Sequence, residues 1–218
     1  MTTEEQQQDE QLLHDHPELD KRRLGKATAS EFNKIISKGR NGQETAARRN
    51  YRIQLTLERL TGKTPSRFTN AYTDWGHETE ELAVVEFMLR HPELDVQKCG
   101  FIEHDFLAAG ASPDRLISED GNLEVKCFNS ANHYEALVTG ELPREYVAQV
   151  QGQMWVDHRQ YCKAVLFDPD FPQEAQLIEL HVERDEKYID NLMVEVANFL
   201  EEVDKQVEVI KNYKEIIQ

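Results

Sequence analysis

The stretch Gly110–Cys127, which reads GASPDRLISEDGNLEVKC, decides the fold because it predicts a β-hairpin that carries charges. Two short apolar segments, 116–117 and 123–127, flank a polar segment that contains glycine, as hairpin turns do. Residues two apart on a strand point to the same face, so Glu124 and Lys126 share one face and the apolar residues between them occupy the other. The sequence therefore predicts a strand with a buried apolar face and a charged face.

Asp114, which directly follows Pro113, is predicted to lie near Glu124 and Lys126 once the hairpin folds back. Two carboxylates that converge beside an ammonium are costly if they are buried without partners. A hard divalent cation such as Mg²⁺ resolves this cost by taking oxygen ligands from both carboxylates. The alternative is a surface hairpin with a cross-strand salt bridge. The spacing resembles that of the PD-(D/E)xK nuclease core.

A second stretch contains the same letters, namely Pro169-Asp170 followed by Asp185-Glu186-Lys187. That triplet stands among charged neighbours and is predicted to open the C-terminal helix. The Glu124 triplet stands between apolar residues on a predicted strand, so the hairpin is the better candidate for metal chemistry.

Glu80 and Gln149 are candidate site residues on predicted helices. Glu80 lies near the start of the predicted helix 74–90, whose residues 82–89 are almost all apolar. It shares the face of the core residues of that helix, with Glu78 and Glu81 as rivals for the inward position. A carboxylate at that place is a metal ligand, a general base or a partner of the helix dipole. Gln149 lies within the predicted helix 144–157, and an ordinary helix glutamine is the alternative there.

The order of predicted elements indicates an α/β fold with a central mixed β-sheet flanked by helices. We expect an acidic tail over residues 1–18 and a single domain over residues 19–218, which ends in one long amphipathic helix. Other predicted elements are a capping box at 28–31, a helix at 44–60, strands at 96–103 and 106–109, a helix at 130–138, and strands at 161–167 and 176–182.

The charge distribution is uneven. The 218 residues carry a formal net charge of −16, but residues 21–70 hold 13 basic and 3 acidic residues, a segment called the basic block below. This block is either a surface that faces a polyanion or the solvated face of two helices. The acidic start and the absence of an apolar run of about 20 residues favour a cytoplasmic protein without a membrane segment. Three scattered cysteines favour reduced thiols over a zinc site or disulfides.

Five motifs in order resemble the lambda-type phage alkaline exonucleases, also called YqaJ-type viral recombinases. The resemblance covers about residues 20–170. The motifs are Arg23-Leu-Gly-Lys-Ala-Thr-Ala-Ser30, Trp75-Gly-x-x-x-Glu80, Ser112-Pro-Asp114, Leu123-Glu-Val-Lys126 and Tyr146-Val-Ala-Gln-Val-Gln151 with Met154-Trp-Val156.

The resemblance implies a role for each matching residue. Asp114, Glu124 and the Val125 carbonyl would bind metal, and Glu80 would serve a second metal position. Lys126 would be the catalytic lysine and Gln149 would lie near the nucleophilic water, while Arg23 and Ser30 would hold a 5′-phosphate. An arginine can grip a phosphate with two hydrogen bonds, and a helix start favours anions.

The resemblance also implies an activity, which is 5′→3′ exonuclease action on double-stranded DNA ends with Mg²⁺, or Mn²⁺ as a substitute. It implies a homotrimeric ring and a single-strand annealing recombinase as partner. A ring accounts for DNA binding by an acidic chain, because only its channel has to be positive. The alternatives are another PD-(D/E)xK nuclease, either an endonuclease or a single-strand exonuclease, and a non-catalytic protein that binds DNA ends or a recombinase.

Overall fold

A computed structural model describes residues 21–63, 71–127 and 130–213, without the side chains of 71–78 and 130. Within it the chain forms two compact units. Unit 1 comprises Met1–Ser66, Gly100–Ser112 and Glu186–Gln218, and unit 2 comprises Arg67–Cys99 and Pro113–Asp185. Each unit draws on separate chain segments, and the single domain predicted over residues 19–218 stays a prediction.

The elements alternate between helices and strands along the chain. The helices are α1 (Phe32–Ile36), α2 (Ala46–Thr61), α3 (Ala71–Arg90), α4 (Ser130–Thr139), α5 (Arg144–Asp157) and α6 (Glu186–Lys211). The strands are β1 (Ala27–Thr28), β2 (Val96–Gln97), β3 (Ile102–Glu103), β4 (Ala109–Ala111), β5 (Arg115–Ile117), β6 (Gly121–Cys127), β7 (Tyr161–Phe167) and β8 (Leu177–Glu183).

Unit 2 contains a five-stranded mixed sheet in the order β2-β5-β6-β7-β8, in which only β6 and β7 run parallel. β5 and β6 form the predicted hairpin, with Ile117 opposite Gly121. Ser118 adopts a left-handed φ of 48° in its turn. A Cβ on Gly121 would come within 2.3 Å of the Tyr161 ring, so only glycine fits there. The hairpin prediction is confirmed.

The two faces of β6 differ as the alternation of its residues predicts. Leu123 and Val125 are buried in a core cluster with Phe87 of α3, and burying such side chains stabilises the fold by about 1.5–3 kcal/mol each. Glu124 lies on the other face, level with Ala164 of β7. On that side α5 packs through Met154 and its neighbours. The charged face of the hairpin is therefore turned towards α5.

Unit 1 combines a three-stranded sheet, in the order β1-β4-β3, with α1, α2 and the long helix α6. Helix α2 begins after Thr45, whose side chain accepts a hydrogen bond from the Arg48 amide, and it ends at Gly62 with φ 64°. The Tyr51 ring of α2 stacks on Phe199 of α6 at 5.5 Å. Helix α6 is long and amphipathic, as predicted, and it buries Ile189, Leu192, Val196, Phe199, Leu200, Val203 and Val207.

Many cations of the basic block pair with carboxylates inside unit 1. Arg48 and Arg52 both bind Glu202 of α6, at 2.8 and 2.7 Å, and both also bind Glu44. Further pairs join Arg59 to Asp204 at 2.6 Å and Lys38 to Glu195 at 3.1 Å. These four cations of the block therefore hold α6 in place, in addition to any role in binding a polyanion.

The mixed α/β class, the sheet flanked by helices and the long C-terminal helix are confirmed. Because α6 begins at Glu186, the rival triplet at 185–187 opens that helix as predicted. The prediction of one strand over 96–103 was wrong, because β2 and β3 belong to different sheets. The capping box was also wrong: Thr28 makes no capping hydrogen bond, and a 3₁₀ turn, Ala29–Glu31, precedes α1. The acidic tail over residues 1–18 lies outside the described residues.

Across the described ranges, no helix combines the length and the apolar composition that crossing a bilayer requires.

Candidate active site

Asp114 stands immediately before β5, and its carboxylate reaches across the hairpin. Its Oδ2 accepts a hydrogen bond from the backbone N–H of Val125 at 2.6 Å. This contact holds the Asp114 carboxylate next to the strand that carries Glu124. The structure thus brings together the two carboxylates that the sequence pairs, while the role of the Val125 carbonyl stays a prediction.

Glu124 is almost completely buried, with 2% of its surface exposed, and both of its carboxylate oxygens accept hydrogen bonds. Oε1 accepts from Lys126 Nζ at 2.5 Å and from Gln149 Nε2. Oε2 accepts from Gln153 Nε2 at 2.5 Å. The predicted residues Glu124, Lys126 and Gln149 therefore form one hydrogen-bonded cluster, which also includes Gln153.

Glu80 of α3 joins this cluster through a hydrogen bond between its carboxyl group and that of Asp114. Two carboxyl groups can share a hydrogen bond only when one of them is protonated. Burial raises the pKa of Asp114 to about 8, and the charge of Glu80 adds to the rise. Burial and the charge of Asp114 raise the pKa of Glu124 to about 7. The pKa of Glu80 is also raised, chiefly by burial.

Lys126 is the cation of the cluster. Burial alone would lower the pKa of its ammonium, but the neighbouring Glu124 and Asp114 outweigh burial and raise it. Its Nζ also lies 5.3 Å from the centre of the Tyr146 ring. Lys126 therefore stays charged among the carboxyl groups of Glu124, Asp114 and Glu80, and the nearby Arg115 also acts to lower the pKa of Glu80.

The raised pKa values of the carboxyl groups bear on whether a divalent metal ion fits here. In the part of the chain that the structure describes, no three His, Cys, Asp or Glu side chains stand in a metal-binding arrangement. The donors themselves are carboxylate oxygens with raised pKa values, which a further cation would relieve. Such hard oxygen donors suit Mg²⁺ or Mn²⁺ rather than a thiophilic metal. The residues present therefore fit a divalent metal ion by their chemistry.

Glu81, a rival for the inward position, has a different partner. Its carboxylate binds Arg115 Nη2 at 2.6 and 2.7 Å, and Arg115 Nη1 donates to the backbone oxygen of Asp114 at 2.6 Å. The Arg115 side chain is buried, whereas half of Glu81 is exposed. This ion pair ties α3 to the start of β5, next to Asp114. The side chain of the other rival, Glu78, lies outside the described residues.

Arg23 and Ser30 belong to unit 1. Arg23 ends the 3₁₀ turn Lys21–Arg23, and its Nη1 donates to Ser112 Oγ at 3.1 Å. Its guanidinium lies 5.5 Å from the centre of the Phe101 ring. Ser30 is exposed, with its Oγ 3.3 Å from Thr28 Oγ1. Their predicted role on a 5′-phosphate stays a prediction.

Sequence reasoning missed Gln153, Tyr146 and Arg115 as parts of the cluster and its support. Gln153 stands four residues after Gln149, and Tyr146 three residues before it, so helical spacing already places all three on one face of α5. That signal was available. Nothing in the sequence pairs Arg115 with Glu81, because that contact depends on the docking of a helix against a strand.

A family model described as the YqaJ-like viral recombinase domain matches residues 19–160. The chain is also similar to the solved structure of an alkaline exonuclease, LHK-Exo, from Laribacter hongkongensis. The two are 33% identical, with a TM-score of 0.81 over 90% of this chain and 96% of that one. The structure of LHK-Exo in complex with dAMP matches at 33% identity and a TM-score of 0.82, over 91% of this chain and 97% of that one.

A phage-related exonuclease from Haemophilus somnus shares the fold, with a TM-score of 0.65 over 85% of this chain and 96% of that one. At 19% identity this likeness concerns the fold alone. No curated protein sequence gives a significant match.

Proposed function

Because this chain belongs to the family of YqaJ-like viral recombinase domains, we propose that it is a metal-dependent exonuclease acting on double-stranded DNA ends. It degrades one strand in the 5′→3′ direction and leaves 3′ single-stranded overhangs for recombination by strand annealing. The observation that carries this proposal is the clustering of Glu80, Asp114 and Glu124 with Lys126 around one hairpin. The similarity to an alkaline exonuclease supports the same reaction class.

Asp114, Glu124 and the Val125 carbonyl hold Mg²⁺, or Mn²⁺ as a substitute, and Glu80 serves a second metal position. When bound, a divalent ion polarises the scissile phosphate and lowers the pKa of the attacking water. In the metal-free protein the Glu124 carboxylate accepts hydrogen bonds from Lys126 and Gln149 at Oε1. The dAMP bound to LHK-Exo is a nucleoside monophosphate, the kind of product that this reaction releases.

Lys126 and Gln149 act directly on the reacting groups. The Lys126 ammonium remains protonated, so it stabilises the negative charge that develops on the phosphate oxygens. The Gln149 amide lies next to it, with its Nε2 on Glu124 Oε1. Its carbonyl oxygen can therefore accept a hydrogen bond from the attacking water and orient it.

Arg23 and Ser30 hold the 5′-phosphate of the substrate. The Arg23 guanidinium is oriented by a hydrogen bond to Ser112 and by the face of the Phe101 ring. Because a guanidinium is planar, it can bind a phosphate with two hydrogen bonds. The proposed assembly is a homotrimeric ring whose partner is a single-strand annealing recombinase. The protein would act in the cytoplasm of a bacterial host as a phage or prophage product.

The test is digestion of linear and nicked-circular duplexes with and without a 5′-phosphate and Mg²⁺. A covalently closed circle serves as the control. We expect degradation of linear DNA only with metal, faster from phosphorylated 5′ ends, with 5′-mononucleotides as products and 3′ overhangs remaining. Degradation of the closed circle, or equal rates in EDTA, would contradict the proposal.

The same assay separates the alternatives. An endonuclease of the same core nicks the closed circle, and a single-strand exonuclease digests heat-denatured DNA faster than duplex. A non-catalytic protein that binds DNA ends leaves all substrates intact while it retards them in a gel.

A further inference from the structure

Gln153 is a buried polar residue that the proposed mechanism leaves with no task beyond its contact with Glu124. It lies one turn after Gln149 on α5, and only 1% of it is exposed. Its Nε2 donates to Glu124 Oε2 at 2.5 Å, while Gln149 Nε2 donates to Oε1 of the same carboxylate. One helix thus supplies an amide donor to each oxygen of Glu124.

The orientation of the Gln153 amide follows from the chemistry of its partner. An ionised carboxylate only accepts hydrogen bonds, so the NH₂ end must face Glu124. The amide oxygen Oε1 then points elsewhere, and it is buried without a hydrogen-bond partner among the residues that the structure describes. Buried polar atoms are normally satisfied, so an exception requires a reason. An apolar side chain of similar size would fill the same space without that unsatisfied oxygen.

The two oxygens of Glu124 are also held differently. Oε1 accepts from both Lys126 and Gln149, whereas Oε2 accepts from Gln153. A cation that binds at Oε1 competes with the two donors there. It does not compete with Gln153, which can keep its hydrogen bond when a cation is present.

We propose that Gln153 is a positioning residue, which fixes Glu124 through Oε2 so that Oε1 stays directed at a divalent metal ion. This inference rests on the proposed function, because it assigns Glu124 to that ion. Residues that orient a metal ligand typically contribute 10- to 100-fold to metal affinity. This role accounts for a buried glutamine at position 153 whose own Oε1 has no hydrogen-bond partner among the described residues.

The test compares the full-length protein with Gln153→Met, which keeps the volume and removes the donor. Mn²⁺ binding to the metal-free protein is measured by calorimetry, and the melting temperature is measured in EDTA. We expect the Mn²⁺ dissociation constant to rise at least about tenfold. We expect the melting temperature in EDTA to change little, because the lost hydrogen bond to Glu124 Oε2 and the removal of the unsatisfied Gln153 oxygen offset each other. Gln153→Leu provides a second apolar side chain with a different shape and should weaken Mn²⁺ binding similarly.

Gln151→Met is the matched control on the same helix. Gln151 is also buried, but it donates to the backbone oxygen of Glu183 at 2.8 Å and accepts from the Asp185 amide at 2.9 Å. Its replacement should lower the melting temperature and leave Mn²⁺ affinity unchanged. This opposite pattern separates positioning of the metal ligand from a structural role.

Three outcomes overturn the inference. Unchanged Mn²⁺ affinity in both Gln153 variants removes the positioning role while the proposed function stands. Equal weakening of affinity by Gln151→Met shows a general effect of disturbing α5. A wild-type protein that neither binds Mn²⁺ nor digests DNA overturns the proposed function, and this inference with it.

Discussion

Two charged clusters in this molecule follow opposite rules. In unit 1, Glu44 and Glu202 meet Arg48 and Arg52, so negative and positive groups are balanced and partly exposed. In unit 2, Glu80, Asp114 and Glu124 meet Lys126 as the ammonium of the cluster, largely out of water.

The pKa values of the carboxyl groups are shifted in opposite directions in the two clusters. The hydrogen bond from Arg48 lowers the pKa of Glu202, and the two arginines outweigh burial to lower that of Glu44. Burial and like charges raise the pKa of Asp114 to about 8 and that of Glu124 to about 7. The first cluster stabilises the fold as it stands. In the second cluster the raised pKa values show that ionisation of the carboxyl groups is unfavourable, which is typical of a functional site.

Replacing Lys126 should have the largest effect, and it should fall on the reaction rather than on the fold. We expect Lys126→Met to lower kcat about 10²- to 10³-fold while DNA binding is retained, because the charge that stabilises the transition state is lost. Single-turnover digestion and a gel-shift titration measure the two quantities. Lys205→Met changes an exposed lysine that binds Glu201 and should leave both unchanged. An active Lys126→Met enzyme would remove this residue from the site.

The Glu81–Arg115 ion pair should show the next largest effect, on stability. Glu81→Gln removes the carboxylate that pairs with the buried guanidinium of Arg115, and we expect a loss of about 1–3 kcal/mol in the free energy of unfolding. Urea denaturation measures it. The matched control is Glu86→Gln, which breaks the exposed pair with Arg90 on the same helix and should cost about 0.3–0.5 kcal/mol. Equal losses would show that burial of Arg115 does not matter.

Much of the fold is predictable from local signals in the sequence. Helices α2 and α6 carry a strong period of 3.6 residues and strand β6 a period of 2, and the structure confirms them together with α3, α5, β7 and β8. One failure occurs where the chain passes from unit 2 to unit 1. Residues 96–103 read as one strand because their composition is continuous, but the sheet that each half joins is set by distant partners.

The contacts of the candidate site also differ in whether local sequence signals can predict them. The side chains of Glu124 and Lys126 share a face because of strand geometry, which the sequence shows directly. The hydrogen bond from Gln153 to Glu124 and that from Arg115 to Glu81 depend on how α5 and α3 dock against the sheet. Such contacts arise from packing between elements that are far apart in sequence, and one sequence alone carries no record of them.

Neutralising Asp114 should stabilise the metal-free protein. This effect would distinguish the carboxyl cluster of unit 2 from the balanced cluster of unit 1. The pKa of Asp114 is higher in the folded state than in the unfolded chain, where it is about 3.9. The folded protein therefore holds the proton more tightly, and its stability falls as pH rises from about 4 to about 8. Asp114→Asn keeps an acceptor for the Val125 amide but removes this loss.

In EDTA at pH 8.5, we expect the free energy of unfolding of Asp114→Asn to be about 1–2 kcal/mol higher than that of the wild type. At pH 4 we expect the two proteins to be equally stable. Adding Mg²⁺ should raise the melting temperature of the wild type and leave that of the variant unchanged. Thermal unfolding across pH, with and without Mg²⁺, measures both effects. A variant that is less stable than the wild type in EDTA at pH 8.5 would contradict the view that this cluster is unfavourable without metal.

Glu202→Gln in unit 1 should have the smallest effect and the opposite dependence on pH. The pKa of Glu202 is lowered in the folded state, so its contribution is present above the unfolded value of about 4.3 and is lost as pH falls below it. Because this carboxylate is partly exposed, we expect a loss of only about 0.5–1 kcal/mol at pH 7, and less in high salt. Urea denaturation between pH 3 and pH 7 measures it. A difference from the wild type that grows as pH falls would contradict the assignment of this cluster as a balanced, structural one.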